Sequence, residues 1–482
     1  MKYTIGIAGL AVMGENLVLN MASKGFSVAV YNRTYGKTEK FLAGRAQGKN
    51  ISGYREVEDF VASLESPKKI MMMVKAGEPV DHFIDQLLPF LEEGDIVIDG
   101  GNSNSHDTVR RQQYLEAKGL RYIGTGVSGG EEGALKGPSI MPGGTVSAWE
   151  PLEPVVTAAA AEVDDGSACT AWMGPGGAGH LVTLVHNGIE YGDMQLICEA
   201  YHFMKDLLGM GTGEIHSIFA DWNQGELSSY LIEITADITD YLDEDGSPLL
   251  ENILDAAGQK GTGKWTVIGA LDYGVPLSLI SESVFARCLS SLKELRVSAA
   301  QELAGPEYTF ADDRSALVKD LGAALYVAKI ISYTQGFGLL QSASNQYSWN
   351  LNLAEIARIW RGGCIIRSVF LDRISDAYTK EPGLANMLLA PYFKGIVTRG
   401  QASLRNVLTA GMSAGIPFPC HSAALNYFDG LRTAKLPANL LQAQRDYFGA
   451  HMYERVDKPR GEWFHTNWTG EGGDTTSTAY TK

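Results

Sequence analysis

The side chains best equipped for chemistry lie in one stretch, His180-Leu-Val-Thr-Leu-Val-His-Asn-Gly-Ile-Glu-Tyr191, which runs on to Tyr201. Leu181, Val185, Ile189, Leu196 and Ala200 recur at helical spacing. Pro175 and the glycines before it supply a start signal, so the stretch reads as a buried amphipathic helix. Thr183, His186, Asn187, Glu190 and Tyr191 then stack a hydroxyl, an imidazole, an amide, a carboxyl and a phenol along its polar side. A solvent face is ordinarily filled with Lys, Glu and Arg. A face of His, Asn, Glu and Tyr on an otherwise apolar helix suits proton transfer and hydrogen bonding to a polyhydroxylated ligand instead.

Such a helix needs a cofactor and a scaffold, and the N-terminal part supplies signals for both. Residues 3–9 form a short apolar strand ending in Gly9-Leu10-Ala11-Val12-Met13-Gly14, with a helical pattern after it at Leu17, Val18 and Met21. This is the dinucleotide-binding fingerprint with alanine in place of the second glycine. Gly9 permits the tight turn, Ala11 lets a pyrophosphate approach the backbone, and Gly14 lets helix pack on strand, with the helix N-terminus facing the phosphates. The second strand ends in Asn32-Arg33-Thr34, where an NAD-binding unit would place Asp or Glu on the ribose 2′-hydroxyl. An amide, a guanidinium and a hydroxyl suit the 2′-phosphate of NADP. Apolar runs at 69–74, 95–99 and 121–125 read as further parallel strands with helical patterns between them. Their ends, Val74-Lys75-Ala76-Gly77, Gly100-Gly101-Asn102 and Val127-Ser128-Gly129-Gly130, fall at the carboxyl edge of such a sheet, where ligands bind. Residues 138–144 add a strand and a turn.

Bulk composition bounds the function. A chain of 482 residues is too long for one core, and its net charge of −16 argues against nucleic acid or an acidic membrane surface as the main partner. An anionic substrate therefore needs a local basic pocket. The five cysteines, 169, 198, 288, 364 and 420, are scattered and never form a CxxC pair, as expected of reduced thiols in a cytoplasmic protein with no disulfide framework and no metal site. Residues 1–21 superficially resemble a signal peptide, but three glycines and Glu15 interrupt the run and the fingerprint accounts for it better. No apolar run is long enough to span a bilayer, and the Asn467-Trp-Thr469 sequon reads as an accident of composition.

From Gly174-Pro-Gly-Gly-Ala-Gly179 to about residue 434 the pattern is helical throughout. Trp222 and Trp360, and Gly274-Val-Pro276 and Gly415-Ile-Pro417, recur at similar offsets, which suggests a duplicated helical unit. The architecture expected is an α/β Rossmann domain over residues 1–176, an all-α duplicated domain over 177–434 and a C-terminal tail over 435–482. Gly258-Gln-Lys260-Gly-Thr262-Gly-Lys264-Trp265 resembles a P-loop only in composition, since Trp265 stands where Ser or Thr belongs. Gly-flanked Lys260 and Thr262 can still hold a phosphate, although a flexible basic loop accounts for the stretch equally well. Arg287, in an apolar helix, wants an anionic partner, whether phosphate or a structural carboxylate. Arg445 and His451 in the tail add phosphate-compatible donors. The Gly/Thr/Ser-rich stretch 469–481 is either frayed or an arm that docks on a partner.

Taken together these motifs resemble the 6-phosphogluconate dehydrogenase family, essentially end to end. The matching stretches are GLAVMG at 9–14, NRT at 32–34, VKAG at 74–77, DGGN at 99–102, VSGGEEGA at 127–134, HNGIEYGDMQLI at 186–197, KGTGKW at 260–265, ESVFAR at 282–287 and QRDYFGAH at 444–451. The resemblance implies NADP-dependent oxidative decarboxylation of 6-phosphogluconate by a homodimer whose tails reach the partner subunit. It implies that Asn102, which also borders the cofactor, contacts the sugar phosphate together with Ser128, Gly129, Gly130, His186, Asn187, Tyr191, Lys260, Thr262 and Arg287. Arg445 and His451 would come from the partner. It also implies a lysine general base at position 183, where this chain has threonine, and a general acid at Glu190, which is kept. Threonine cannot take and hold a proton near neutrality. Three readings follow: a dehydrogenase possessing full or impaired activity, a catalytically dead homologue that still binds ligand, and a related β-hydroxyacid dehydrogenase. The cationic cluster argues against the third, because a substrate without phosphate would leave it unpaired.

Overall fold

The N-terminal apolar runs pair into one eight-stranded sheet: β1 (Ile5–Ala8), β2 (Val28–Tyr31), β3 (Ile51–Tyr54), β4 (Lys69–Met72), β5 (Ile96–Asp99), β6 (Arg121–Ser128), β7 (Ser139–Gly144) and β8 (Gly174–Pro175), in spatial order β3-β2-β1-β4-β5-β6-β7-β8. All neighbours run parallel except β6 and β7, which pair antiparallel from Ile123↔Gly144 to Ser128↔Ser139. In this computed structural model residues 2–259, 261–308, 313–472 and 475–477 are described, so Lys260 and part of the 469–481 stretch lie outside them. The order reverses direction between β1 and β4, which opens a crevice at the carboxyl ends of those strands. Strands β1, β4 and β5 are buried along their whole length, which is why they read as unbroken apolar runs. Helices cover both faces: Ile5, Ile7, Val28, Val30 and Ile98 feed one core, and Ala8, Ala29, Ile70, Met72 and Val97 the other. The edge strand β3, Ile-Ser-Gly-Tyr, carries too little apolar signal to be read from sequence.

Among the described residues the chain is helical from Ala178 to the tail. The central helix, Ala178–His202, packs on β6 and β7 and against the long helix Arg314–Tyr347. The element order then shows the duplication. Each long helix is followed by a short one ending beside a tryptophan (Thr212–Trp222; Leu353–Ile359 before Trp360), and later by a helix, a left-handed glycine (Gly274, φ 62; Gly415, φ 75) and a further helix, Ser278–Ser290 or Pro419–Leu431. Ser229 and Ser368, which precede corresponding helices, form an antiparallel bridge with each other.

The chain divides into two compact units, Met1–Leu425 and Asn426–Lys482. In the second, the helix Ala438–Gly449 precedes an antiparallel pair, Tyr453–Glu454 with Trp463–Phe464. Asp446 is fully buried and accepts from Met452 N (3.0 Å), His465 Nδ1 (2.9 Å), Thr466 N (3.0 Å) and Trp468 Nε1 (2.9 Å), so this one carboxylate pins the turn that carries Arg445 and His451. No helix among the described residues is long and apolar enough to cross a membrane.

Candidate active site

The cofactor side is built from the loops after β1, β2 and β4. Gly9 takes φ +107, and a Cβ there would lie 2.4 Å from the Met73 carbonyl oxygen, so only glycine fits the turn. A Cβ on Gly14 would lie 2.0 Å from Gly9 O, which places this glycine in helix–strand packing. The loops border a cleft of about 450 Å³ lined by Gly9, Leu10, Ala11, Asn32, Arg33, Thr34, Val74 and Lys75, and also by Lys37, His82 and Gln86, which the motifs did not indicate. Val12, Met13, Gly14, Ala76 and Asn102 are not on its wall. Asn32, on this wall, also braces two loops: its Oδ1 accepts from Leu10 N (3.0 Å) and one Nδ2–H donates to Thr34 O (3.0 Å). Arg33 and Lys37 are exposed, and neither has an ion-pair partner among the described residues. Two uncommitted cations beside the Thr34 hydroxyl and the start of the helix Tyr35–Ala43 fit the 2′-phosphate of NADP, and no carboxylate stands on this wall to select a 2′-hydroxyl.

The central helix forms the second half of the site. At one end, Ser128 Oγ at the tip of β6 meets His186 Nε2 (3.3 Å), and His186 Nδ1 meets Asn187 Oδ1 (3.1 Å). An amide oxygen can only accept, so Nδ1 carries the proton and Nε2 is the acceptor facing Ser128. Burial lowers the His186 pKa to about 4, and the ring is neutral near pH 7. Thr183 is buried, and its hydroxyl donates to Gly179 O (2.9 Å), with Met141 Sδ 3.5 Å away. The Thr183 side chain lies against Gly126, where a Cβ would come within 1.7 Å of Oγ1. Glu190, half-buried, stands one turn beyond His186; the thiol of Cys364 is pushed up chiefly by burial, and the charge of Glu190 adds to it.

At the other end the Arg287 guanidinium lies 3.5 Å from the Tyr191 ring centroid, with Nη2 3.4 Å from Met194 Sδ. No carboxylate pairs with Arg287 among the described residues. The helix Thr262–Asp272 starts here after left-handed Gly261 (φ +101), and a Cβ on Gly263 would lie 2.6 Å from the Tyr191 ring. Thr262, Tyr191 and Arg287 are thus brought together, next to a helix N-terminus suited to a phosphate. Asn102 is exposed on the loop after β5; Arg445 and His451 flank Asp446 in the second unit.

One wall escaped the sequence reading. Trp360 meets His186 edge to face at 5.6 Å and donates from Nε1 to Met141 Sδ (3.4 Å). Gly363 O would lie 2.6 Å from a Cβ on Gly129, and Ile365 reaches within 4.0 Å of one on Gly130. The pair Gly362-Gly363 beside Trp360 was a signal of the same kind as the other glycine pairs.

Comparison with known proteins shows the family. Residues 4–174 match the family model for the NAD binding domain of 6-phosphogluconate dehydrogenase, and residues 179–468 match that for its C-terminal domain. A protein of Haemophilus ducreyi named 6-phosphogluconate dehydrogenase, decarboxylating, is 57% identical over 479 residues, covering 99% of each chain. One of the same name from Ovis aries is 54% identical over 477 residues, again covering 99% of each. Among solved structures, the Plasmodium falciparum 6-phosphogluconate dehydrogenase, described in its apo form and in complex with its cofactor NADP+ and its substrate 6-phosphogluconate, aligns with a TM-score of 0.92 at 44% identity, over 96% of this chain and 100% of its own.

Proposed function

The chain belongs to the 6-phosphogluconate dehydrogenase family, and we propose that it catalyses the NADP-dependent oxidative decarboxylation of 6-phospho-D-gluconate to D-ribulose 5-phosphate, CO2 and NADPH, a cytoplasmic step of the pentose phosphate pathway. The observation that carries the reading is the central helix with the neutral His186 imidazole beside the Ser128 hydroxyl at one end and, over Tyr191 at the other, the Arg287 guanidinium, which pairs with no carboxylate among the described residues. That spacing of groups suits a sugar acid phosphorylated at its far end. NADP, when bound, supplies a hydride acceptor. Arg33 and Lys37 would neutralise its 2′-phosphate, the Thr34 hydroxyl would donate to it, and the N-terminus of the helix Val12–Ser23 would hold its pyrophosphate.

Arg287, Thr262 and the helix start after Gly261 hold the sugar phosphate, with Lys260 beside them in sequence. Ser128, the backbone at Gly129 and Gly130, and Asn187 offer donors to the acid end. Glu190 is the acid that protonates C1 after CO2 leaves. Thr183 stands where the family pattern has its base, and its proton is already given to Gly179 O, so His186 Nε2 is the acceptor left on this face. An imidazole held near pKa 4 is a weak base, and turnover falls by the ~10²–10⁴-fold that general-base catalysis contributes. The working molecule is a homodimer in which Arg445 and His451 complete the partner's phosphate site, and its domains are those bounded at 176 and 434.

The test is to mix the protein with 6-phosphogluconate and NADP and follow absorbance of the reduced nicotinamide. Reduction with release of CO2 supports the reading. Binding of both ligands with no product at high enzyme concentration would overturn it and establish a silent homologue. Binding of neither would sink both.

A further inference from the structure

Arg111, on the helix Ser105–Glu116, has a side chain only 1% exposed, and a charge so buried is costly unless it is paired. Its donors are spread over four partners around the loops after β4 and β5 rather than concentrated on one. Nε and Nη2 clasp Asp81 Oδ1 and Oδ2 (2.8 and 2.9 Å), and Nη2 also reaches Gly77 O (3.0 Å), at the end of the loop after β4. Nη1 reaches Ser103 Oγ (3.3 Å) and Asp99 Oδ2 (3.4 Å), on either side of the loop after β5. Asp99 closes the network: its Oδ2 accepts from Ser103 Oγ (2.6 Å) and Tyr122 OH (3.1 Å), and its Oδ1 from Gly101 N (3.1 Å). Asn102 is therefore exposed, while both of its neighbours are held by one buried carboxylate.

The two loops serve the two ligands. Val74 and Lys75 line the cofactor cleft, and the loop of Asn102 follows β5, the strand next to β4, at the same edge of the sheet. They also touch, since a Cβ on Gly101 would lie 2.9 Å from Val74 O. One turn before Arg111 on the same helix, Thr108 Oγ1 meets His180 Nδ1 (2.6 Å) at the start of the central helix, one turn before Thr183. Charge compensation needs only the carboxylates. The bonds to the Gly77 carbonyl and the Ser103 hydroxyl compensate no charge; what they fix is the position of the loops.

We propose that Arg111 is a positioning residue for the reaction: its guanidinium fork fastens the cofactor loop and the Asn102 loop into one platform that sets cofactor against substrate. This rests on the NADP-dependent reading above. Lysine would keep the charge but cannot present five donors in a planar fork.

The experiment compares full-length protein with Arg111→Lys and Asp81→Asn, the latter removing a partner that is itself about a third exposed and so tolerant of change. Affinities for NADPH (fluorescence) and 6-phosphogluconate (calorimetry) are measured without turnover, alongside the thermal midpoint. The expected result is folded protein whose NADPH dissociation constant rises about tenfold or more, with 6-phosphogluconate affinity changed by no more than about threefold because Arg287 and Thr262 hold it elsewhere. A lower midpoint with NADPH affinity unchanged would show a purely structural role and overturn the proposal. If Arg111→Lys does not fold, Asp81→Asn decides in the same terms. Unmodified protein that binds neither ligand would overturn the functional reading instead.

Discussion

Replacing Thr183 with lysine should raise turnover and lower stability together, an opposition that few substitutions produce. The kinetic gain is that of a restored general base, ~10²–10⁴-fold, or about 3–5 kcal/mol off the barrier. The stability loss has two parts. The hydroxyl bond to Gly179 O, 2.9 Å long, is worth about 1 kcal/mol. The larger part is the ammonium group, since position 183 is 2% exposed and walled by Met141 Sδ and Gly126. Burial lowers a lysine pKa, and each unit of lowering costs about 1.4 kcal/mol wherever the unfolded chain is protonated, so a lysine brought from its ordinary value near 10.4 down to about 8 costs roughly 3 kcal/mol at pH 7. A group with a lowered basic pKa is destabilising below that pKa, so this deficit shrinks as pH rises through 8–10. Initial rates of NADPH formation and urea unfolding of the ligand-free protein at pH 7 and 9 measure both effects. NADP affinity should stay within about twofold, because Thr183 is not on the cofactor cleft. A folded lysine variant with unchanged turnover would refute the assignment of position 183 as the place of the base.

Three further outcomes follow from the same geometry. His186 has its pKa lowered from 6.5 to about 4 by burial, so the folded state resists a proton that the unfolded chain accepts below pH 6.5; stability is full above 6.5 and falls by about 3 kcal/mol as pH drops to 4. The urea midpoint of His186→Asn should lose that part of its acid dependence, and an unchanged acid limb would refute the burial argument. Lys37→Ala and Arg33→Ala should each cut kcat/KM for NADP by about 10–100-fold, the worth of a charge-assisted hydrogen bond, while leaving NAD use unchanged; equal losses with both cofactors would remove these cations from the 2′-phosphate. Arg287→Met should raise the dissociation constant for 6-phosphogluconate by about 10–100-fold and leave gluconate binding as it was, measured by calorimetry.

Much of the fold was legible because its signals are local. The fingerprint at 9–14 and the buried runs of β1, β4 and β5 announce strands by unbroken apolarity, and the central helix by its period. Edge strand β3 was not legible, because half-polar Ile-Ser-Gly-Tyr takes its conformation from pairing with β2. In the site, side chains whose type stands out against its surroundings were legible: exposed Arg33 on the cofactor cleft, and buried His186 and Tyr191 on the apolar central helix, with Arg287 over the Tyr191 ring. What stayed hidden were groups whose work is done on other protein atoms. Asn32 lines the cofactor cleft, but its bracing of Leu10 and Thr34 was not legible. Asp99, Arg111 and Asp446 are buried hubs that no motif pointed out as such. A sequence gives a side chain's donors but not the loop they will meet.

The duplication explains why the central helix can hold a reactive face so firmly. Its Glu199 carboxylate accepts from Cys420 N (2.9 Å), His421 N (3.1 Å) and His421 Nδ1 (2.7 Å) at the start of the helix Pro419–Leu431, in the second half of the repeat. The second half answers with Gln335, whose Oε1 accepts from Leu279 N (3.0 Å) and whose Nε2 donates to Ser278 Oγ (3.0 Å), at the start of the helix Ser278–Ser290 in the first half. Each long helix therefore satisfies orphan N–H groups of a helix belonging to the other half. The helix so capped by the second half is the one that carries Arg287. Pulling the central helix from Pro419–Leu431, or the long helix Arg314–Tyr347 from the helix of Arg287, would strip these buried partners, each group left unmet costing about 1–3 kcal/mol. The crossed caps of the repeat thus hold the helices that carry the His186 end and the phosphate end of the site, while the loops that meet the cofactor are fastened separately, by Arg111.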